Sequence, residues 1–409
     1  MNVLLVAGAR PNFMKIASIV DAIHAHNQRS SARIDYTLVH TGQHYDEKMS
    51  QSFFRDLGIP TPGVDLGVGS GSHAAQTAEI MKRFEPVMIK EQPDVVLVVG
   101  DVNSTIACTL VASKLEYPDG NASGRRRPLL AHVEAGLRSG DRTMPEEINR
   151  ILTDALSDLH FTTEPSAQEH LVREGVAKTR IHFVGNTMVD TLLKHRRHAD
   201  QSEVLGRLGL LKHAGDQDDR AFNAASAGSG KARAYAVVTL HRPSNVDNPE
   251  VFREILDALS VVGTHLPIIF PVHPRTQTRI QTFGLGNTID FAALDSGTPA
   301  GRSGIRCVEP LGYLEFLCLT ANARLVLTDS GGIQEETTVL GVPCVTLRDN
   351  TERPVTMTHG TNVLVGTKKA GIIDGALKKL HHRESHRIPE GWDGRAGDRI
   401  IDILTQQTV

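Results

Sequence analysis

Three carboxylates in the first 150 residues lie at the ends of predicted elements, where side chains can reach a substrate. Asp101 follows the apolar run Val95–Gly100, Glu134 follows the run Leu129–Val133, and Glu146 stands in a Pro-Glu-Glu helix start. Asp101 and Glu146 have ordinary alternatives, since Asp can cap a helix and Glu is common in a first helical turn, whereas Glu134 after a buried strand has no capping explanation as good. Carboxylates grouped at one sheet edge suit general acid and base catalysis. A metal site is the other reading, but the spacing matches no standard ligand set.

Two cations, Arg10 and Lys15, lie where the first predicted strand turns into a helix. Backbone N–H groups and the helix dipole favour an anion at such a position. The alternative is a solvated pair of charges at a helix start. The same turn lacks both the G-x-G-x-x-G pattern of a dinucleotide site and a Walker A loop. The pattern therefore favours phosphate binding and predicts no nicotinamide cofactor.

A second group of candidate residues lies in the C-terminal half. His241 follows a predicted buried strand, and Ser330, Gly331 and Gly332 open a helix that contains Glu336 one turn further on. Small residues at a helix N-terminus let a diphosphate approach backbone donors, and the carboxylate could accept hydrogen bonds from a ribose diol. The alternatives are a structural His and a plain glycine-rich helix start. The pattern favours a site for a nucleotide-diphosphate sugar.

Short apolar runs that alternate with amphipathic stretches must position these residues. Near-continuous Val/Leu strands separated by helices are typical of parallel sheets covered on both faces. We predict an α/β fold of two doubly wound, Rossmann-like domains that face a central cleft. The predicted strands are Asn2–Val6, Ile34–His40, Val95–Gly100, Leu129–Val133, His160–Thr163, Ile181–Val184, Tyr235–Leu240, Pro267–Val272, Ile305–Val308, Leu325–Thr328, Cys344–Leu347 and Asn362–Val365.

The domain boundaries follow from breaks in this rhythm. We predict a first domain of residues 1–185 that also includes a C-terminal helix within 389–409, and a second domain of residues 186–388. Residues 212–233 are rich in Ala, Gly, Ser and Asp, which is typical of a flexible surface insertion.

The composition excludes several classes of protein. The 409 residues carry 44 Lys and Arg against 47 Asp and Glu, so no basic field for nucleic acid is expected. No apolar run approaches the roughly 20 residues that span a bilayer, and no signal-peptide pattern opens the chain. The four scattered cysteines are predicted to be buried thiols. We expect a cytoplasmic protein with neither nucleic-acid nor membrane partners.

With these motifs in hand, the chain resembles the non-hydrolysing UDP-N-acetylglucosamine 2-epimerase family over nearly its whole length. The resemblance implies the two-domain GT-B fold, a cytosolic homodimer, and interconversion of UDP-GlcNAc and UDP-ManNAc for polysaccharide synthesis. The stretches that carry it are Gly8–Lys15, Thr41–His44, Gly100–Ser104, His132–Arg138, Pro145–Arg150, Gly185–Thr187, His241–Arg242, Pro271–Pro274, Asp329–Glu336 and Thr351–Pro354.

The resemblance also implies a role for each candidate residue. Asp101, Glu134 and Glu146 are the acid–base carboxylates, and His241 assists at the departing phosphate. The implied contacts to the UDP-sugar are Arg10 and Lys15 on the diphosphate, Phe316 on uracil, Ser330, Gly331 and Gly332 on phosphate, Glu336 on the ribose, and Arg353 nearby. Elimination of UDP to a glycal, followed by re-addition with a proton on the other face, needs these groups and no cofactor.

Two loops depart from the family's commoner pattern. Asn12 stands where Glu is usual, and Pro243-Ser244 replaces Arg-Glu. Relatives that act on other UDP-2-acetamido sugars therefore remain alternatives, as do a hydrolase, a GT-B glycosyltransferase and a silent nucleotide-sugar sensor. The second, activating UDP-GlcNAc of some members would lie near Gln43 and His44. We do not predict that regulation, because residues 67–72 lack an Arg.

Overall fold

The computed structural model describes residues 1–42, 54, 56–212, 232–286, 289–291, 304–382 and 385–407. Gln43, His44 and most of the predicted insertion lie outside these residues. The chain divides into two compact units, Met1–Lys194 with Glu390–Val409, and His195–Pro389. The first unit therefore ends at Lys194, nine residues after the predicted boundary at 185 and inside the helix Thr187–Ala199. The N-terminal part of that helix is hydrogen-bonded to the first unit, because the Thr191 hydroxyl donates to the Met14 carbonyl at 2.7 Å.

A parallel sheet forms the centre of the first unit, with seven strands among the described residues in the order β3-β2-β1-β4-β5-β6-β7. All five residues of β4 are buried, as expected for a strand with helices on both faces. The two-residue strand β3 has no apolar pattern and was not predicted. The strands are β1 (Asn2–Ala7), β2 (Asp35–His40), β3 (Val64–Asp65), β4 (Val95–Val99), β5 (Leu129–Val133), β6 (Leu159–Thr162) and β7 (Ile181–Phe183).

Helices connect these strands and cover the sheet. One hydrophobic core packs β1 and β4 against two of them through side chains such as Leu4, Val96, Phe84 and Met88. The helices are α1 (Arg10–Arg29), α2 (His73–Glu91), α3 (Asn103–Lys114), α4 (Pro145–Leu156), α5 (Pro165–Arg173) and α6 (Thr187–Ala199).

The second unit repeats this design with its own parallel sheet, in the order β10-β11-β9-β8-β12-β13-β14. Its core includes Val238, Phe252, Phe270 and Leu327, all fully buried. The short strand β10 was not predicted. The strands are β8 (Ala236–Thr239), β9 (Ile268–Pro271), β10 (Ile289–Phe291), β11 (Ile305–Val308), β12 (Leu325–Thr328), β13 (Cys344–Thr346) and β14 (Asn362–Leu364).

The described helices of the second unit are mostly short, and several begin with proline, which suits the first helical position. They are α7 (Val204–Arg207), α8 (Pro243–Val246), α9 (Pro249–Val262), α10 (Pro274–Thr282), α11 (Tyr313–Ala321), α12 (Gly331–Leu340), α13 (Val355–Thr358) and α14 (Lys369–His381). Every predicted strand occurs within one residue of its predicted ends, and the predicted α/β class is confirmed.

The last helix, α15 (Ala396–Gln407), belongs to the first unit and packs on α1. Gly397 makes this contact possible, because a Cβ at that position would lie 2.6 Å from the Ser18 carbonyl oxygen. Its N–H donates to the Asp190 carboxylate at 2.8 Å. Burial raises the pKa of Asp190 to about 6, although hydrogen bonds from the start of α15 act against this shift.

Candidate active site

Asp101 lies just after β4 and forms an ion pair with Arg150 of α4. Arg150 is 2% exposed and also binds Glu147, with Nη2 2.6 Å from the carboxylate. Helix α3 has Val102 at its N-cap and no side-chain cap hydrogen bond, so the capping explanation for Asp101 is wrong. A buried cation holds the Asp101 carboxylate, whose side chain keeps 28% of its surface exposed.

Glu147 fixes Arg150 from the other side. Its carboxylate accepts the backbone N–H groups of Ser139 at 3.0 Å and Gly140 at 2.9 Å. Burial alone raises the pKa of Glu147, but these bonds and Arg150 bring it below its ordinary value. Its neighbour Glu146 is half-buried in the first turn of α4, and forms no hydrogen bond or ion pair with another described residue.

Glu134, directly after β5, has a left-handed backbone with φ +73°. Its N–H donates to the Phe161 carbonyl on β6 at 3.0 Å, and its carboxylate forms an ion pair with Lys15 of α1. The two side chains are 6% and 7% exposed. A left-handed non-glycine residue costs about 1–3 kcal/mol and persists where surrounding contacts enforce it. The neighbouring strand and the Lys15 ion pair enforce it here.

Gly100 makes room for the Lys15–Glu134 ion pair. It has φ +69°, and a Cβ on it would lie 2.8 Å from Lys15 Nζ and 3.5 Å from Glu134 Oε2. Asp101 is the next residue in the chain. The structure thus brings Lys15, Glu134 and Asp101 together at the carboxyl ends of β4 and β5.

The turn that carries Arg10 is held by Asn12. The Asn12 Oδ1 accepts the N–H groups of Gly8 at 3.0 Å and Ala9 at 2.9 Å, while Nδ2 donates to the Val99 carbonyl at 3.1 Å. A carboxylate in its place could accept the first two bonds but could not donate the third. Asn12 thus supplies both an acceptor and a donor to this turn. Arg10 is the first residue of α1 and is half-buried.

In the second unit, His241 follows β8 and is oriented by Asp329. The His241 Nδ1 lies 2.9 Å from the carboxylate of Asp329, which is fully buried, whereas the imidazole is 59% exposed. Asp329 also accepts the backbone N–H groups of His241 and Arg242 at 3.1 and 3.0 Å. Burial alone raises the pKa of Asp329, but His241 and these N–H groups hold it below its ordinary value. This arrangement leaves the Nε2 of His241 to face a ligand.

The N-terminus of α12 begins with Ser330 as its N-cap, and the Ser330 hydroxyl makes no cap hydrogen bond within the helix. Gly331 lies directly against the guanidinium of Arg353, because a Cβ on Gly331 would be 2.9 Å from its Cζ. A helix N-terminus with an arginine beside it is an anion-binding arrangement. Of the predicted substrate-binding residues, the structure brings Ser330, Gly331 and Arg353 together here.

Two buried carboxylates hold Arg353 in place. Its Nε lies 2.9 Å from the Glu335 carboxylate and its Nη1 lies 3.4 Å from that of Glu352. Arg348 binds Glu352 with two bonds of 2.8 and 3.0 Å, and Arg242 approaches to 3.4 Å. Burial alone raises the pKa of Glu352, but the three guanidinium groups outweigh it and lower the pKa far below its ordinary value. The arginine is thus fixed before any ligand arrives.

Glu336 lies one turn into α12 and is 4% exposed. Its Oε2 has no hydrogen-bond partner among the described residues, and burial, followed by the charge of Glu335, raises its pKa to about 8. A buried oxygen without a partner is costly, and a ligand hydroxyl would remove that cost. Phe316, predicted to contact uracil, is half-buried in the neighbouring helix α11.

Several residues that hold the candidate side chains in place were not predicted from the sequence. Asp329, Glu147 and Arg150 lie inside motifs that were recognised, but no role was assigned to them. An Asp directly after a buried strand was a usable signal for Asp329. The pairing of Arg150 with Asp101 had no signal, because the two are 49 positions apart.

Among the described residues, no group of three or more His, Cys, Asp or Glu side chains could hold a metal ion. Within the same part of the chain, no helix has the length and apolar character needed to cross a membrane. The four cysteines are buried, as predicted.

Two α/β units, each built on a parallel sheet with polar residues at the carboxyl ends of its strands, define a GT-B-like enzyme fold. The chain belongs to the UDP-N-acetylglucosamine 2-epimerase family, whose model matches residues 26–405. The predicted family is confirmed, and the protein is an epimerase.

Individual relatives agree with this assignment. The chain is 40% identical over 407 residues to UDP-N-acetylglucosamine 2-epimerase from Methanocaldococcus jannaschii, with 99% of each chain covered. The crystal structure of UDP-GlcNAc 2-epimerase from that organism, in complex with UDP-GlcNAc and UDP, matches with a TM-score of 0.81 at 40% identity, over 99% of this chain and 100% of that one. UDP-2,3-diacetamido-2,3-dideoxy-D-glucuronate 2-epimerase from Pseudomonas aeruginosa is 36% identical over 409 residues, covering 99% of this chain and all of that one.

Proposed function

We propose that the protein interconverts UDP-GlcNAc and UDP-ManNAc by eliminating UDP to a glycal and adding it back, and that its product feeds polysaccharide synthesis. The observation that carries the proposal is the cluster at the ends of β4 and β5. Two of its carboxylates, Asp101 and Glu134, are each matched to a buried cation, whereas Glu146 on α4 has no such partner among the described residues. Glu146 is therefore the carboxylate of this cluster that is not committed to a buried cation.

The second unit would bind the nucleotide. Ser330 and Gly331 supply the helix N-terminus for phosphate, with Arg353 beside it, while Gly332 lets the ligand approach the backbone. The unpartnered oxygen of Glu336 would accept a hydrogen bond from the ribose, and Phe316 would pack on uracil. Arg10 is also assigned to the diphosphate.

Departure of UDP would break the bond between C1 and the phosphate oxygen, whose electron pair leaves with the diphosphate. His241, held by Asp329, would stabilise the charge that develops on that oxygen. The developing positive charge at C1 makes the C2 hydrogen acidic. A carboxylate would take that proton, which leaves the C1–C2 double bond of the glycal.

Return of UDP to C1, with a proton delivered to the opposite face of C2, would complete the epimerisation. Proton transfer on both faces needs two separate groups. We assign them to Glu134 and Glu146, and assign Asp101, held by Arg150, to stabilising the cationic ring.

Incubation of the purified protein with UDP-GlcNAc in deuterated water tests the function. Epimerisation puts deuterium on C2 of the recovered UDP-sugars and forms UDP-ManNAc, as mass spectrometry and NMR would show. Free sugar with UDP would indicate hydrolysis instead. A parallel incubation with the diacetamido-glucuronate derivative tests the alternative sugar, and turnover of that compound alone would overturn our proposal.

We also propose that the protein is a cytoplasmic homodimer. In support, α4 exposes two leucines one turn apart, Leu152 at 45% and Leu156 at 36%. Exposed apolar side chains on one helix face suit a protein–protein contact. Light scattering of the wild type and of a Leu152→Glu/Leu156→Glu variant would test the dimer, and an unchanged mass of the variant would exclude α4 from the interface.

The four buried free cysteines support the proposed cytoplasmic location, because free thiols are typical of a reducing compartment.

A further inference from the structure

His132 is a fully buried histidine of β5, two residues before Glu134. Its Nδ1 lies 2.6 Å from Oδ1 of Asp154 in α4, and its Nε2 lies 2.8 Å from the carbonyl oxygen of Gly100. A carbonyl oxygen only accepts hydrogen bonds, and so does an ionised carboxylate. Both nitrogens of the ring therefore need a proton to satisfy these contacts.

The surroundings of Asp154 keep it ionised. Its second oxygen accepts the N–H of Gly136 at 3.0 Å and faces Arg138 Nη1 at 2.8 Å. Burial alone raises the pKa of Asp154, but His132 and then Arg138 lower it below its ordinary value. Arg138 is balanced in turn by Glu174. In the His132–Asp154 pair the carboxylate is therefore ionised, and the imidazole of His132 carries a proton on each ring nitrogen.

Three segments meet at this ring. Gly100 precedes Asp101, His132 lies on β5 two residues before Glu134, and Asp154 lies on α4, the helix that carries Glu146. The Asp154 carboxylate also holds Gly136, which has φ +80° and follows the left-handed Glu134.

We propose that His132 is a buried imidazolium that positions the segments carrying Asp101, Glu134 and Glu146, acting through Gly100 and Asp154. The proposal rests on the proposed function only in taking those carboxylates as the catalytic groups. His132 does not touch the reacting atoms, so it is a positioning residue. A shift of about 1 Å in a catalytic group can lower the rate by about 10²-fold.

His160 provides a matched control. It is also fully buried, and it pairs directly with His132 in the register of β5 and β6. Its Nε2 lies 2.7 Å from the backbone carbonyl of Asp154, and its Nδ1 lies 3.3 Å from that of Arg180, which is longer than an ordinary hydrogen bond, so one ring proton satisfies it. Burial lowers its pKa. Its bond to α4 is to a backbone carbonyl and not to the Asp154 carboxylate, so a change to Gln, whose amide can still donate to that carbonyl, removes a buried imidazole and should leave Gly100 and the Asp154 carboxylate in place.

We expect His132→Gln to lower kcat by about 10²-fold, with UDP affinity close to wild type and a larger share of turnovers ending in released glycal and UDP. His160→Gln should leave kcat and that partition near wild type. Calorimetry with UDP and product analysis by NMR measure these quantities. The share of turnovers that release glycal and UDP does not depend on how much of the protein is folded, so a general loss of stability cannot produce the same change. Equal behaviour of the two variants would overturn the positioning role.

The charge state has a test that does not depend on turnover. In ¹⁵N-histidine-labelled wild-type protein at neutral pH, the two ring nitrogens of His132 should show the shifts of a doubly protonated ring, with the signals assigned by their loss in His132→Gln. A neutral tautomer would overturn the proposal, whichever sugar the enzyme turns over.

Discussion

At the scale of single residues, Glu134 joins a functional side chain to a strained backbone. Its φ of +73° is easy for glycine and costly for other residues. We predict that Glu134→Gly is more stable than Glu134→Ala by about 1 kcal/mol, while both lack activity. Both variants remove the carboxylate that pairs with Lys15, so the loss of this ion pair does not contribute to the difference in their free energies of unfolding. Urea denaturation of the two variants measures the difference.

Glu169 serves as the control for this comparison, since it is exposed in the helix α5. In an ordinary helix Gly is less stable than Ala by about 1 kcal/mol, so the order of the two variants should reverse. If Ala proved better than Gly at both positions, the strain at Glu134 would be absent.

Glu336 predicts a dependence of stability on pH. Its pKa is raised from 4.5 to about 8 by burial and then by Glu335, so the folded protein keeps a proton that the unfolded chain loses. The stability contribution is fully present below pH 4.5 and is lost as the pH rises towards 8. We expect Glu336→Gln to gain stability over wild type across this window, by an amount on the order of a few kcal/mol. Denaturation at several pH values measures it.

The exposed Glu309 gives the matched control. Glu309→Gln should follow the wild-type pH profile throughout. A constant difference between Glu336→Gln and wild type from acid to neutral pH would show that the Glu336 carboxyl ionises normally in the fold.

At the scale of elements, the start of α12 depends on the closeness of Gly331 and Arg353. A methyl group on Gly331 would collide with the guanidinium, whose Cζ would lie 2.9 Å away. Glu335 and Glu352 hold that guanidinium, so it cannot move aside without breaking ion pairs. We predict that Gly331→Ala weakens UDP binding by about tenfold or more, the size of a lost charge-assisted bond. Uridine binding should change little, because only the phosphate contacts are affected.

Calorimetry with UDP and, separately, with uridine measures the two affinities in Gly331→Ala and in the wild type. Gly286→Ala is the control, since no atom of the described residues, its chain neighbours apart, lies within 4 Å of the added carbon. An equal loss of UDP and uridine affinity in Gly331→Ala would place the diphosphate elsewhere.

At the scale of the whole molecule, the described residues on either side of 213–231 lie next to each other. Leu211 and Ala232 form an antiparallel bridge, and the Arg233 N–H donates to the Leu210 carbonyl at 2.8 Å. A short linker can therefore replace residues 213–231 without pulling on the described structure. We expect unchanged melting temperature and activity, measured by calorimetry and the epimerase assay.

A longer replacement, over residues 210–233, serves as the contrast. It removes Leu210, which is fully buried, together with the bridge. This variant should melt at a lower temperature. If the shorter replacement abolished activity in a folded protein, residues 213–231 would have a role in catalysis or assembly.

The strands were predictable from the sequence because a strand buried on both faces must be apolar at nearly every position. Val95–Val99 and Leu325–Thr328 show this pattern clearly. The strands that were missed, Val64–Asp65 and Ile289–Phe291, are too short to show any pattern. Chemistry-bearing residues such as Asp101 and His241 were also visible, because they directly follow such strands.

The partners of those residues were decided only by the tertiary structure. Lys15 and Glu134 are 119 positions apart, and Asp101 and Arg150 are 49 apart. Ion pairs of this kind depend on which strands become neighbours, and no local periodicity carries that information. The left-handed conformation of Glu134 is also a tertiary result, since contacts from β6 and α1 impose on a glutamate a backbone that its own type disfavours. The sequence by itself determined which side chains are available, and the packing of the sheets decided which of them are charged, paired and aimed at a ligand.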